Sequence, residues 1–168
     1  GNWKMNHTIA ESKEFCSHSA DMIKLAAEKG IDIGVAPSYL SLQTVKENAG
    51  NMIVAAQDCH FANHGAYTGF VSIPMIKELG IDWCLVGHSE RRLYAAETSL
   101  TCNRKIKALI ENKMTVVYCV GESLADFESG RTKSIVKEQL LIGLMDIAKE
   151  DTDKIVVAYE PVWSIGTG

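Results

Sequence analysis

Five short runs of β-branched and other apolar residues punctuate the chain: Ile31-Asp32-Ile33-Gly34-Val35-Ala36, Met52-Ile53-Val54-Ala55-Ala56, Trp83-Cys84-Leu85-Val86, Thr115-Val116-Val117-Tyr118-Cys119-Val120 and Ile155-Val156-Val157-Ala158-Tyr159. Apolar and polar positions scarcely alternate within them, which predicts strands buried on both faces. Between them the pattern changes to helical spacing. It is clearest over Thr101 to Glu111 and over Thr132 to Lys149, where Ile135, Val136, Gln139, Leu140, Gly143, Leu144 and Ile147 recur with that period. Gly30, Gly50 and Gly80 each follow a helical stretch, where a C-terminal cap needs left-handed backbone. Asn2 to Asn6 predicts the tail of a first strand, making six βα starts, the last with no helix after it. Strand starts fall about 20 to 40 residues apart, the length of one βα unit. The prediction is an α/β fold of repeated βα units with an all-parallel sheet. No linker or shift in composition divides residues 1–168, so they read as a single domain.

A length of 168 residues suffices for one domain with a real core, and 46% hydrophobic with 23% charged residues excludes a disordered or collagenous chain. Seventeen basic against 21 acidic residues leave a net charge of −4 with no basic stripe, so nucleic acid is not an expected partner. The cysteines, Cys16, Cys59, Cys84, Cys102 and Cys119, are odd in number and lack a CxxC pair. That favours reduced thiols in a cytoplasmic protein, with Cys84 and Cys119 in the core. No apolar stretch approaches the roughly 20 residues of a membrane span, and Gly1-Asn2-Trp3-Lys4 is no signal peptide, so no membrane partner is expected. The missing initiator Met implies a gene that starts further upstream.

The polar residues sit where the strands end: Asn2 and Lys4, Pro37, Gln57, His88 and Ser89, Glu122, and Glu160. In a closed parallel barrel these ends converge on one rim, where such folds build active sites. An open doubly wound sheet also gathers ligands at strand C-termini, but its dinucleotide-binding form needs an early GxGxxG, which is absent. Glu160 is either a solvated carboxylate or a general base, a role that calls for partial desolvation by neighbours such as Val162, Trp163 and Ile165. His88 opens a short helical turn; it is either an ordinary polar histidine or, at a helix N-terminus, a neutral donor able to polarise a carbonyl. Lys4 is a surface lysine or a fixed positive charge at the rim. The run Ser164-Ile165-Gly166-Thr167-Gly168 suits an ordinary turn or a moving lid that offers backbone N–H groups to an anion. His60 and His64 lie four apart, but Asn63 and Gly65 argue for a loop and no third ligand is near, so no metal is expected. Glu90-Arg91-Arg92 reads by default as a salt-bridged surface turn.

Six segments together resemble the triosephosphate isomerase family, in order and in spacing: Asn2-Trp3-Lys4-Met5-Asn6, Ala55-Ala56-Gln57-Asp58, Gly65-Ala66-Tyr67-Thr68-Gly69, Val86-Gly87-His88-Ser89-Glu90-Arg91-Arg92, Tyr118-Cys119-Val120-Gly121-Glu122 and Tyr159-Glu160-Pro161-Val162-Trp163. The resemblance implies a (β/α)8 TIM barrel, here truncated to about six βα units. It also implies a cytoplasmic enzyme of glycolysis and gluconeogenesis that interconverts dihydroxyacetone phosphate and glyceraldehyde 3-phosphate without a cofactor. Glu160 matches the family's base, His88 its neutral electrophile, and Lys4 the lysine that stabilises the enediolate and phosphate charge. Asn2 matches a substrate-contacting amide and Gly166 a lid donor to phosphate. Ser89 matches the hydroxyl that holds the base in the open site, and Glu90 the carboxylate paired with the lysine. Gly65 to Gly69 is similar to the loop that enters a second subunit, which makes Tyr67 and Thr68 interface residues of an expected homodimer.

Two positions depart from the family. Phe70 stands where Glu usually follows Thr-Gly, which removes a charge partner for Arg91 across the interface, and Ser164 replaces the usual Ala of the lid. The barrel also needs about 250 residues, so a truncated first strand and two missing βα units are expected, with the glycine-rich phosphate grip among them. On that expectation the 168 residues alone are inactive, and their source is a partial gene sequence. A naturally truncated non-catalytic phosphate-binding or interaction chain is the alternative, and a different phosphate-binding barrel enzyme is a third.

Overall fold

The computed structural model describes residues 1–165. Its contacts gather into two compact units, Gly1–Cys84 and Leu85–Gly168. In the first unit α1 (Ile9–Ser17) and α2 (Ala20–Glu28) precede β1 (Gly34–Val35). A 3₁₀ turn at Tyr39–Ser41 leads into α3 (Leu42–Asn48), followed by β2 (Ile53–Ala56), α4 (Ile73–Glu78) and β3 (Trp83–Val86), whose end enters the second unit. The pairs are parallel, with Gly34 opposite Ile53 and Ala55 opposite Trp83. The second unit continues with α5 (Ser89–Tyr94), α6 (Ser99–Glu111), β4 (Thr115–Val120), α7 (Leu124–Glu128) and α8 (Thr132–Gly143). A 3₁₀ segment at Lys149–Lys154, β5 (Ile155–Tyr159) and a 3₁₀ turn at Val162–Ser164 complete it. There β4 and β5 run parallel from Val116 opposite Ile155 to Val120 opposite Tyr159. Parallel strands in chain order, joined by helices, make an α/β architecture that matches a partial (β/α)8 barrel.

Local chemistry sets the element boundaries. Thr8 and Glu11 form a reciprocal capping box that starts α1, and Thr98 and Thr101 do the same for α6. The core of the first unit is filled by Leu42, Val45, Ile73, Ile76 and Ile81, that of the second by Ile106, Leu109, Met114, Val116 and Tyr118, all buried. All five cysteines are buried thiols, and no described helix is long and apolar enough to cross a membrane.

Three predicted elements come out shorter. The first strand is reduced to one parallel bridge between Asn2 and Ala36, because Lys4 turns to φ 53° and ends the extended backbone. The run from Ile31 keeps only Gly34–Val35, since the Ile31 N–H is taken by the Ala26 carbonyl (2.9 Å) as part of the end of α2. The helix predicted to reach Lys149 stops at Gly143, where the buried Asn103 amide donates to the carbonyls of Gly143 (3.0 Å) and Met145 (2.8 Å). The predicted caps Gly30, Gly50 and Gly80 do take left-handed backbone.

Helix α8 packs on β4 through Gly143, where a Cβ would overlap the Tyr118 hydroxyl and ring. That hydroxyl is fixed, because it donates to the Gln139 carbonyl at 2.7 Å. Replacing glycine by alanine in a helix normally stabilises by about 0.5–1 kcal/mol. Here Gly143→Ala is expected to destabilise by about 1–3 kcal/mol through overpacking, read as a lower midpoint in denaturant. A raised midpoint would show that Tyr118 yields.

Candidate active site

In the first unit the chain start is held against β1. Trp3 N donates to Ala36 O (3.0 Å), Ala36 N donates to Gly1 O (2.8 Å), and Asn2 Oδ1 accepts from the backbone N–H of Lys4 (2.9 Å). Lys4 occupies left-handed backbone, which an L side chain adopts only when its surroundings impose it. Gln57, directly after β2, supplies part of that constraint: its amide donates to Lys4 O and Ala36 O, both at 2.8 Å. Asn2 and Lys4 are half-buried.

The second unit brings His88 and Glu160 together. His88 is buried and caps α5: its Nδ1 accepts the Glu90 backbone N–H at 3.2 Å. A ring nitrogen that accepts carries no proton, so the neutral ring holds its hydrogen on Nε2. Nε2 lies 3.6 Å from Glu160 Oε2, while the Glu90 carboxylate stands 3.6 Å from Nδ1. Both are proximities rather than hydrogen bonds. Ser89 opens α5 and lines a small cleft with Gly87, Arg92, Gly121, Glu160 and Val162.

Glu160 leaves β5 with its backbone N–H on the Val120 carbonyl (2.9 Å). At Gly121 a Cβ would overlap the Glu160 carbonyl, so the backbone after β5 can lie this close to the end of β4 only across a glycine. The Glu160 side chain is 52% exposed, in contrast to the expected apolar cover. That cover goes to Glu122 instead. Trp163 packs at a tilt against Phe127 with ring centroids 4.5 Å apart and donates through Nε1 to Glu122 Oε1 at 3.2 Å. Tyr159 OH (3.2 Å) and Thr132 Oγ1 (3.3 Å) also donate to this carboxylate, which is 1% exposed. Burial alone would raise the Glu122 carboxyl, but the donors on Trp163, the backbone, Tyr159 and Thr132 outweigh it and hold the group below its ordinary value. Burial, reinforced by the negative charge of Glu160, pushes the Cys119 thiol up to about 12.

Gly166 lies outside the described residues. In the first unit, the loop carrying Tyr67, Thr68 and Phe70 closes where His60 pairs with Ser72. The His60 ring packs among Phe61 (4.3 Å), Tyr67 (4.1 Å) and Phe70 (4.9 Å), its Nδ1 accepts the Ala62 N–H (3.0 Å), and Thr68 is exposed. Among the described residues no group of three His, Cys, Asp or Glu could hold a metal ion. Sequence reasoning placed Gln57 and Glu122 at strand ends without assigning them a task, and it read Arg92 as part of a surface turn. The structure turns Arg92 inward instead: Nε donates to Gly87 O (2.8 Å), Nη1 to Ser99 Oγ (3.1 Å) and Nη2 to Cys119 O (3.3 Å).

A family model described as triosephosphate isomerase matches residues 1–168. The triosephosphate isomerase of Clostridium botulinum (strain ATCC 19397 / Type A) is 41% identical over 170 residues, covering 100% of this chain and 67% of the relative. That of Chlorobium chlorochromatii (strain CaD3) is 45% identical over 172 residues, covering 100% and 66%. The chain thus spans about two-thirds of the length of these curated relatives.

A carboxyl lowered by folding stabilises the fold fully above its unfolded value and loses that contribution as the pH falls through its folded value. The melting temperature is therefore expected to drop as the pH falls below about 4.5, the ordinary value for Glu122, and to drop less steeply in Glu122→Gln. Equal slopes in the two proteins would show that the carboxylate contributes nothing.

Proposed function

Because the chain belongs to the triosephosphate isomerase family, we propose that the whole protein interconverts dihydroxyacetone phosphate and D-glyceraldehyde 3-phosphate by proton transfer. The observation that carries this reading is the His88–Glu160 pair, a carboxylate 3.6 Å from the Nε2 of an imidazole whose other nitrogen is occupied. Glu160 takes the proton from the carbon beside the carbonyl, and the C–H electron pair becomes the C=C bond of an enediolate. The His88 Nε2–H donates to the oxygen where negative charge develops. Return of the carbon-bound proton to the neighbouring carbon, with transfer of the hydroxyl proton from one enediolate oxygen to the other, completes a shift that is redox-neutral overall. Lys4 supplies fixed positive charge for the enediolate and phosphate, and Asn2 contacts substrate. Ser89 holds the base in the open site, Glu90 pairs with the lysine, and Gly166 donates from a lid whose closure excludes water. The chemistry uses no cofactor, and the pathway is glycolysis and gluconeogenesis in the cytoplasm.

The half-exposed Glu160 fits a base that awaits substrate and lid before it is desolvated. In a chain completed to the length of its relatives, Glu160→Ala is expected to lower kcat by at least about 10²–10⁴-fold and to abolish exchange of substrate C–H protons with solvent. Exchange at the unaltered rate would remove Glu160 from the mechanism.

The partner is a second copy, which receives the loop bearing Tyr67 and Thr68. Phe70 brings a ring, packed on His60, rather than a charge to this loop. The dimer is therefore expected to hold equally well at about 0.05 M and about 0.5 M salt, a range in which screening lengths fall several-fold. Marked weakening with salt in analytical ultracentrifugation would show that charge pairs carry the interface.

A further inference from the structure

We propose that Arg92 is a positioning residue for His88, acting with Glu97 to lock the two peptide groups that flank Gly87. This rests on the assignment of His88 as the donor in the reaction. Gly87 has φ +78°, and a Cβ there would stand 2.9 Å from Arg92 Nη2, 3.0 Å from Cys102 Sγ and 3.1 Å from Cys119 O, so the position admits only glycine. Glycine is also the residue with the freest backbone. Left to itself, it would let the ring that follows swing.

The neighbouring charges remove that freedom. The Gly87 N–H belongs to the peptide shared with Val86, and it donates to Glu97 Oε2 at 3.1 Å. The Gly87 carbonyl belongs to the peptide shared with His88, and it accepts from Arg92 Nε at 2.8 Å. One bond on each side fixes φ and ψ of Gly87 together, and each is strengthened by a charged partner. The anchors are themselves held. Glu97 forms a buried ion pair with Lys105, and Arg92 also donates to Ser99 Oγ, Cys119 O and the Tyr118 hydroxyl oxygen (3.4 Å). Its guanidinium carbon lies 5.9 Å from the centre of the Tyr118 ring.

The consequence reaches the imidazole through the backbone. Helix α5 has six residues, too few to hold its own start, and the His88 Nδ1 bond to Glu90 N–H forms only when the His88 backbone stands at the correct angle to that first turn. A lysine at position 92 keeps the charge but replaces a planar fork of donors by one mobile point, which cannot serve the Gly87 and Cys119 carbonyls and Ser99 at once.

The test uses a chain completed to the length of its relatives and reads the His88 ring nitrogens by ¹⁵N NMR without substrate. In the unaltered protein the ring is expected as the single Nε2–H tautomer. In Arg92→Lys it is expected as a mixture, with kcat lowered about 10- to 100-fold and KM changed less than about threefold, the loss that a small misplacement of a reacting group produces. Ser99→Ala, which removes one outer anchor, is expected to lower the melting temperature and leave the tautomer single. A single tautomer in a folded Arg92→Lys, or an equal mixture in Ser99→Ala, overturns the proposal. Should Arg92→Lys fail to fold, the Arg92 Hε of the unaltered protein decides: exchange slower than that of an arginine side chain in an unstructured peptide supports the lock, and equal exchange overturns it. An unaltered protein with a single tautomer but no isomerase activity would overturn the proposed reaction and leave the lock standing.

Discussion

A carboxylate shut away from water must find its hydrogen-bond donors inside the protein, and Glu122 finds them on three separate segments. Thr132 begins α8, Tyr159 ends β5, and Trp163 lies in the turn beyond Pro161. Without these donors the segment after β4 would bury an unpaired charge, an arrangement worth several kcal/mol of instability. The backbone reinforces the bond pattern, since Val162 N donates to Glu122 O at 3.0 Å and Glu160 N to Val120 O at 2.9 Å. The position of Glu160 therefore follows from the demands of its neighbour. Its own carboxylate is left in water because the available aromatic cover is already spent on Glu122.

The first unit solves a related problem with a neutral group. Lys4 sits in backbone that costs of the order of 1–3 kcal/mol for a residue with a Cβ. The Gln57 amide, donating to the carbonyls of both Lys4 and Ala36, ties the irregular turn to the end of a strand. In both units a polar side chain at a strand end does structural work on the segment that bears a candidate site residue. The polar residues at the strand ends thus divide into candidate site residues and residues that hold them in place.

That division explains what the sequence could and could not disclose. The strands from Trp83, Thr115 and Ile155 were legible because runs without alternation favour a parallel strand, but only the first two are buried as that pattern implies, whereas Val156, Val157 and Tyr159 of the third are exposed. The two-residue β1 was not, since its loss depends on where α2 spends its last carbonyls. His88 and Glu160 were legible as strand-end residues inside a recognisable set of motifs, but their separation of 3.6 Å joins positions 72 residues apart, and no local pattern encodes that. Arg92 was misplaced for the same reason: its acceptors on Ser99 and Cys119 come from α6 and the end of β4, and a charge run read alone resembles a solvated face. Glu122 showed the right place and no task, because its donors lie 10 to 41 residues further on.

On the proposed reaction the two groups that face each other need opposite mechanical properties. A donor to a developing oxyanion is effective when it is already aimed, since any reorientation during the reaction adds to the barrier. A base that takes a proton from one carbon and returns it to the next has to serve two positions. The structure distributes its constraints accordingly. His88 is buried, capped onto Glu90 N–H and preceded by a peptide locked on both sides, whereas the Glu160 side chain is half-exposed and lies within the tight cleft at the end of its strand. Rigidity is concentrated on the group that must not move, and the freedom that remains belongs to the group that must.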